Sequence, residues 1–288
     1  MKKKTEKKKM FVIFNGGLGN QLFIYCAAKK YALDKNIKDI FYFSSYGLLN
    51  NFKDISFYLK NIKINNLINN RYLNFLLIFF KFKLSNSLIT DQKISNKNPL
   101  KFTLLGYFQN PKWYNSVFNK VIDEIFTKNF SKKLKKIPLY DVVISFRRGD
   151  YLNLGMCLHE SYYLNSIKKL KISKKEKIKV VSDDNDYKLY FNKFLIKNGF
   201  SVYSDKRYFN DKSFNDFLTL IKSKKLIMSN SSFCWWAALA RIKLKLSPNN
   251  VICPRNWYPE NKNIIKNLMF SHPGNPLKWK LIKSKFLN

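Results

Sequence analysis

The chain has 288 residues, 46% hydrophobic and 17% aromatic, with 54 Lys+Arg against 18 Asp+Glu for a formal charge of +36. That length accommodates one large domain or two of about 100 to 150 residues, each with a buried core, and the apolar content excludes a disordered chain despite the charge. The charge leaves three readings open: a nucleic-acid binder, a protein on an anionic membrane surface, and a drift toward lysine and asparagine with no single partner. The lysines are scattered, as in "NIKINNLINN" and "LKISKKEKIKV", instead of forming one arm, which weighs against nucleic acid.

The first ten residues, "MKKKTEKKKM", have the charge of a signal-peptide start, but the apolar run that follows ends in glycines after four residues, so no secretory signal is expected. Residues 10–33, "MFVIFNGGLGNQLFIYCAAKKYAL", predict a short buried strand, a glycine turn and a helix. "IKDIFYFS" (37–44) predicts a second strand, and residues 45–98 have helical spacing. Their most apolar stretch, "YLNFLLIFFKFKL" (72–84), falls short of the ~20 residues a spanning helix needs, so it reads as a core or interfacial helix. "LKFTLLGYFQNPKWY" (100–114) returns to strand character and ends in a Gln-Asn-Pro turn. A lysine-rich helix over 121–137 then meets Pro138, and the domain boundary is placed there, giving domains 10–137 and 138–288.

The second half alternates strand and helix: strand 141–146, helix 160–170, strand 177–184, helix 186–198, strand "SVYS" (201–204), helix 214–223, strand 225–230, helix 231–240 and strand 251–254. Such alternation implies an α/β fold with parallel sheets, in which ligands sit beyond the carboxyl ends of the strands. Cys26, Cys157, Cys234 and Cys253 form no close pair and no ligand spacing with His159 or His272. Free thiols in a reducing, cytoplasmic compartment are therefore expected, and a zinc site is not.

Four motifs lie at predicted strand ends. "FNGGLGNQLF" (14–23) lacks the Gly-Lys-Ser/Thr of a phosphate loop and has Leu22 where a dinucleotide fingerprint needs Gly or Ala, which argues against NAD. Gly16, Gly17 and Gly19 permit close backbone approach to a ligand, with Asn20 as a helix cap, or else they form a tight turn without one. "SFRRGDY" (145–151) sends Arg147 and Arg148 out of a strand in succession; one guanidinium fork suits a diphosphate without a metal ion, leaving the other for an ion pair with Asp150 or another carboxylate. In "VVSDDNDY" (180–187), Asp184 and Asp186 have the spacing of a divalent-cation site, against the alternative that Ser182, Asp183 and Asp184 end a strand and cap a helix. "MSNSSFCWWAALA" (228–240) brings Asn230, Ser231 and Ser232 to a strand-to-helix junction suited to an anion, with Trp235 and Trp236 expected in the core.

Taken in order, "GGLGNQLF", "GYFQNPKWY" (106–114), "RRGDY", "SDD", "NSSFCWWAA" and "PRNWY" (254–258) make the chain resemble the bacterial α-1,2-fucosyltransferases of glycosyltransferase family 11 over nearly its whole length. The resemblance implies a GT-B-like arrangement of two Rossmann-type domains, GDP-β-L-fucose as donor, inverting transfer to the 2-hydroxyl of a terminal galactose, and no metal cofactor. The family's His-x-Arg-Arg-x-Asp pattern falls on residues 145–150, with Ser145 at the histidine. Arg147, Asp150 and Asn20 are then the catalytic candidates; Gly17, Gly19, Gln21, Arg148, Ser182, Asp183, Asn230, Ser231 and Ser232 are the donor-binding candidates; Glu160 and Asp183 are outside candidates for the base. The expected setting is the inner membrane face, where the enzyme, held by basic residues and the Phe75–Phe82 segment, acts on lipid-linked glycans. The alternatives are a transferase using another GDP-sugar, a metal-dependent one using Asp184 and Asp186, and a non-enzymatic RNA- or surface-binding protein.

Overall fold

A computed structural model describes residues 7–44, 67–68, 88–90, 101–259 and 273–287. The chain forms two compact units, each built on a parallel five-stranded sheet, so it is α/β with two Rossmann-type units, as the GT-B-like reading requires. The first unit runs through Thr127 and includes Leu268–Gly274; the second starts at Lys128. The sequence placed this division at 137/138 and gave the whole C-terminal stretch to the second unit.

In the first unit, β1 (Lys9–Phe14) leads through the glycine turn into α1 (Leu18–Lys35), followed by β2 (Asp39–Ser44), β3 (Leu67–Ile68), β4 (Leu88–Ile89), β5 (Lys101–Leu104) and α2 (Phe118–Ile125). The sheet order is β3-β2-β1-β5-β4. Val12, Phe14, Leu22, Phe23, Cys26 and Ala27 are buried, because a strand followed by an apolar helix face can only hide that face on the sheet. Within 45–98, read from sequence as helical, Leu67–Ile68 and Leu88–Ile89 instead extend the two sheet edges by pairing with β2 and β5; the rest of that span, including Phe75–Phe82, lies outside the described residues.

The second unit contains α3 (Lys128–Lys135), β6 (Tyr140–Phe146), α4 (Gly149–Asn153), α5 (Glu160–Lys169), β7 (Ile178–Ser182), α6 (Asn185–Lys197), α7 (Lys212–Ile221), β8 (Ser223–Ile227), α8 (Ser232–Ala240), β9 (Val251–Pro254) and β10 (Lys280–Ile282). The elements differ from the sequence expectations in several places. The single helix over 121–137 is two, since Phe126 and Thr127 separate α2 from α3; Phe130 of α3 packs edge-on to Phe214, which ties that helix to the second unit. "SVYS" is no strand, because Val202 makes only an isolated bridge to Ile178. β10 was not anticipated, and its short, partly buried sequence is strand through its pairing with β9.

This sheet has the order β10-β9-β8-β6-β7. The chain direction across the sheet reverses between β6 and β8, so their carboxyl ends flank a topological switch point, where open α/β sheets bind ligands. In the first sheet the equivalent reversal lies between β1 and β5.

Candidate active site

β6 is buried at almost every position, and its last residue, Phe146, has ring centroids of Tyr163 at 4.0 Å and Phe191 at 4.7 Å. That anchor fixes the two arginines that follow at the switch point. Arg147 Nη2 meets Asp150 Oδ1 at 2.7 Å and its Nη1 meets Asp183 Oδ2 at 2.8 Å. Burial works against this guanidinium charge, but Asp183 and then Asp150 outweigh it and raise its pKa. The ring of Tyr151 lies 5.3 Å from the Arg147 guanidinium, and the Tyr151 hydroxyl donates to Asn230 O at 3.2 Å.

Arg148 is held differently. Its Nε donates to Asp184 Oδ2 at 3.1 Å, its guanidinium lies 3.8 Å from the centroid of Tyr187, and the Tyr187 hydroxyl donates to Glu160 Oε1 at 3.1 Å. The Arg148 amide donates to Asp183 Oδ1 at 2.8 Å, so Asp183 bridges the backbone of one arginine and the side chain of the other. From sequence, one arginine was expected in an ion pair and its neighbour free for phosphate; both are ion-paired, because the turn after β7 brings two further carboxylates alongside.

The end of β7 shows what those carboxylates do. Asp184 caps α6 by accepting from the Tyr187 amide at 2.9 Å, and Ser182 Oγ accepts from the Asp184 amide at 3.1 Å, which is the capping arrangement weighed against a cation site. The Tyr187 amide, with Arg148 adding to it, lowers the Asp184 pKa. Among the described residues no group of three or more His, Cys, Asp or Glu side chains is placed to hold a metal ion. Lys212 Nζ reaches Ser182 O at 2.5 Å and Asp216 at 2.9 Å, and burial raises the Asp216 pKa.

At the end of β8, Asn230 is fully buried and its Nδ2 donates to Met156 O and Trp257 O, each at 3.0 Å. Its amide therefore staples two loops together, while its buried Oδ1 has no partner among the described residues. Ser231 is the N-cap of α8 and makes no side-chain cap bond, whereas His159, Asp184 and Asp211 cap α5, α6 and α7. The start of α8, with Ser232 in its first turn, therefore carries no side-chain cap from its N-cap residue, and its amide dipoles point toward the end of β8. Trp235 and Trp236 are fully buried, as expected. Ser145, at the family's histidine position, is buried with its hydroxyl 2.8 Å from Cys234 Sγ.

In the first unit the glycine turn is self-contained. Gly16 has φ +78, and a Cβ there would fall 2.4 Å from Asn20 Nδ2, so no larger residue fits. Asn20 is not the helix cap: Gly17 occupies that position, without a side-chain bond, and Asn20 lies inside α1 with Oδ1 accepting from Gln109 Nε2 at 3.0 Å. Gly19 is buried in the first turn, and the fully buried Gln21 donates from Nε2 to Gly16 O at 2.9 Å, holding the turn closed from within. Asn20 and Gln109 follow β1 and β5, so they meet at this sheet's own reversal.

Tyr151, Tyr187, Gln109, Cys234 and the Lys212–Asp216 pair escaped the sequence reading. Tyr151 follows Arg147 by four residues, a spacing that is its signal in the sequence, whereas Tyr187 lies 39 residues from Arg148 and meets it only through the fold.

The model of glycosyl transferase family 11 matches residues 1–264. The chain belongs to that family. It is 27% identical over 278 residues to the α-1,2-colitosyltransferase of Escherichia coli, covering 84% of this chain and 90% of the relative. Among solved structures it is similar to the α-1,6-fucosyltransferase NodZ crystallised with GDP (TM-score 0.46, 12% identity, 82% of this chain and 93% of that one). It is also similar to the heptosyltransferase WaaC of E. coli with ADP (TM-score 0.46, 9% identity, 96% and 93%). This family 11 member is a glycosyltransferase.

Proposed function

We propose that the enzyme transfers L-fucose from GDP-β-L-fucose to the 2-hydroxyl of a terminal galactose, with inversion to an α-1,2 linkage and without a metal cofactor. The acceptor oxygen attacks the anomeric carbon, the bond from that carbon to the phosphate oxygen breaks, GDP departs with its electron pair, and the hydroxyl proton passes to a base. The observation that carries this reading is the convergence of an arginine pair and the uncapped start of α8 on the carboxyl ends of β6 and β8, at the switch point of the second sheet. Both features stabilise a departing diphosphate, one by charge-assisted bonds and one by amide dipoles.

In this reading Arg147 meets the pyrophosphate, Arg148 sits beside it, and Ser182, Asp183, Asn230, Ser231 and Ser232 shape the donor side. Asn20 as a catalytic candidate and Gly17, Gly19 and Gln21 as donor-binding candidates, all in the first unit, keep the roles that the family resemblance implies. Asp150, Glu160 and Asp183 are the carboxylates considered for the base. All three already accept from Arg147, Tyr187 or the Arg148 amide. A second donor is favoured by one observation: the E. coli relative's name keeps the α-1,2 linkage but names a colitosyl group, so another GDP-sugar fits the same phosphate site.

The test is turnover of GDP-fucose with a β-galactoside acceptor in excess EDTA, with GDP-mannose in parallel. Release of GDP from GDP-fucose alone, with a fucosylated product, is expected. Loss of activity in EDTA would shift the chemistry to Asp184 and Asp186, and no turnover of either donor would sink the reading. No helix among the described residues is long and apolar enough to cross a membrane. Peripheral contact with anionic lipid through basic residues is part of this proposal, and liposome sedimentation without a preference for anionic lipid would remove it.

A further inference from the structure

The two carboxylates on Arg147 are not equivalent. Asp183 has a side-chain exposure of 27% and is fixed at both oxygens, by the Arg148 amide and by Arg147 Nη1. The missing side chain of Gly149 makes room for it, since a Cβ there would fall 2.9 Å from Asp183 Oδ2. Asp150 has a side-chain exposure of 57%, sits in a five-residue helix, and among the described residues is held through Arg147 Nη2 alone. Rotation of its side chain releases it without moving the backbone.

We propose that Asp150 and a donor phosphate compete for Nη2 of Arg147, and that Asp183 is the positioning residue that keeps the guanidinium aimed while they exchange. The inference rests on the donor reading above and adds to it. With Asp150 in place, Arg147 and Arg148 face the three carboxylates of Asp150, Asp183 and Asp184, a balance that disfavours an anion. A half-exposed Asp–Arg pair is weak, whereas a phosphate offers a guanidinium fork several oxygens in charge-assisted bonds, so a diphosphate displaces Asp150 and a weakly bound anion does not. Asp150 thereby sets the affinity threshold of the donor site.

The experiment is calorimetric titration of the full chain with GDP. The variants are Asp150→Asn, Asp183→Asn, Arg147→Ala and the Arg147→Ala/Asp150→Asn double mutant, each checked by circular dichroism. Asp150→Asn is expected to tighten GDP binding about two- to fivefold, the range set by one exposed ion pair. The same change is expected to do nothing in the Arg147→Ala background, and Asp183→Asn to loosen binding. Unchanged or weaker binding by Asp150→Asn overturns the competition. Equal tightening in the Arg147→Ala background overturns it as well, because it would reflect only the loss of a nearby negative charge. GDP binding that is absent in the unmodified chain, or indifferent to Arg147→Ala, overturns the donor reading itself. If Arg147→Ala does not fold, Arg147→Gln carries the same comparison.

Discussion

Replacing Gly149 by Ala separates stability from activity. The added methyl would lie 2.9 Å from Asp183 Oδ2, the atom that accepts from Arg147 Nη1 at 2.8 Å. One of the two must shift, and the exposed carboxylate moves more easily than the helix backbone. The lost contact joins side chains 30% and 27% exposed, so it contributes only about 0.5 to 1 kcal/mol to folding. Alanine in place of glycine at the start of α4 returns about 0.5 to 1 kcal/mol through the unfolded chain. The two nearly cancel, and the melting temperature is expected to stay within about 2 to 4 °C. Turnover has no such compensation: an arginine displaced from the departing diphosphate is expected to lower kcat/KM by about tenfold, roughly 1.4 kcal/mol of transition-state stabilisation. The assay pairs differential scanning fluorimetry with GDP release from GDP-fucose. Gly155→Ala is the control: nothing lies within 4 Å of its added Cβ, but its φ of +61 penalises alanine, so about 1 kcal/mol of stability should go while turnover remains. Full turnover by Gly149→Ala would refute the idea that Asp183 positions Arg147.

Three further outcomes are expected. Ser145→His puts an imidazole where Cys234 Sγ lies 2.8 Å from the serine hydroxyl; overpacking should lower stability by about 1 to 3 kcal/mol in urea unfolding, and an unchanged midpoint would mean that the pocket expands freely. Folding lowers the pKa of Asp184, mainly through the Tyr187 amide, so the folded state binds fewer protons there than the unfolded one. That stabilisation is present above the unfolded pKa of about 4 and drains as pH falls through the lower folded value. Asp184→Asn should therefore melt earlier than the unmodified chain at pH 7, with the gap closing toward pH 3; a gap constant with pH would contradict this. All four cysteines are buried and free, and burial pushes the Cys157 thiol up to about 11. A thiol reagent should consequently label the native protein slowly and the urea-unfolded protein completely, and fast labelling of the native state would refute it.

The sequence by itself determined the α/β class, the alternation of the second half and the strand-end positions of the motifs. These are local properties: strand and helix periods, glycines at φ-demanding turns, and acidic residues at helix starts such as Asp184. It also determined the family, because ordered motifs such as "RRGDY" and "NSSFCWWAA" need no three-dimensional context. Only the tertiary structure decided what the motifs do to one another. Asp183 lies 36 residues from Arg147, and no spacing rule says that it takes Nη1 while Asp150 takes Nη2. The same holds for Asn20, which looks like a cap in sequence until Gly17 is seen to hold that position and Gln109 is seen to supply its partner from the neighbouring strand's end. It holds again for β10, whose residues become a strand only because β9 offers an unpaired edge. Propensities and patterns act over a few residues, whereas sheet order brings together residues distant in the chain, and the charges of this site are shared across exactly that distance.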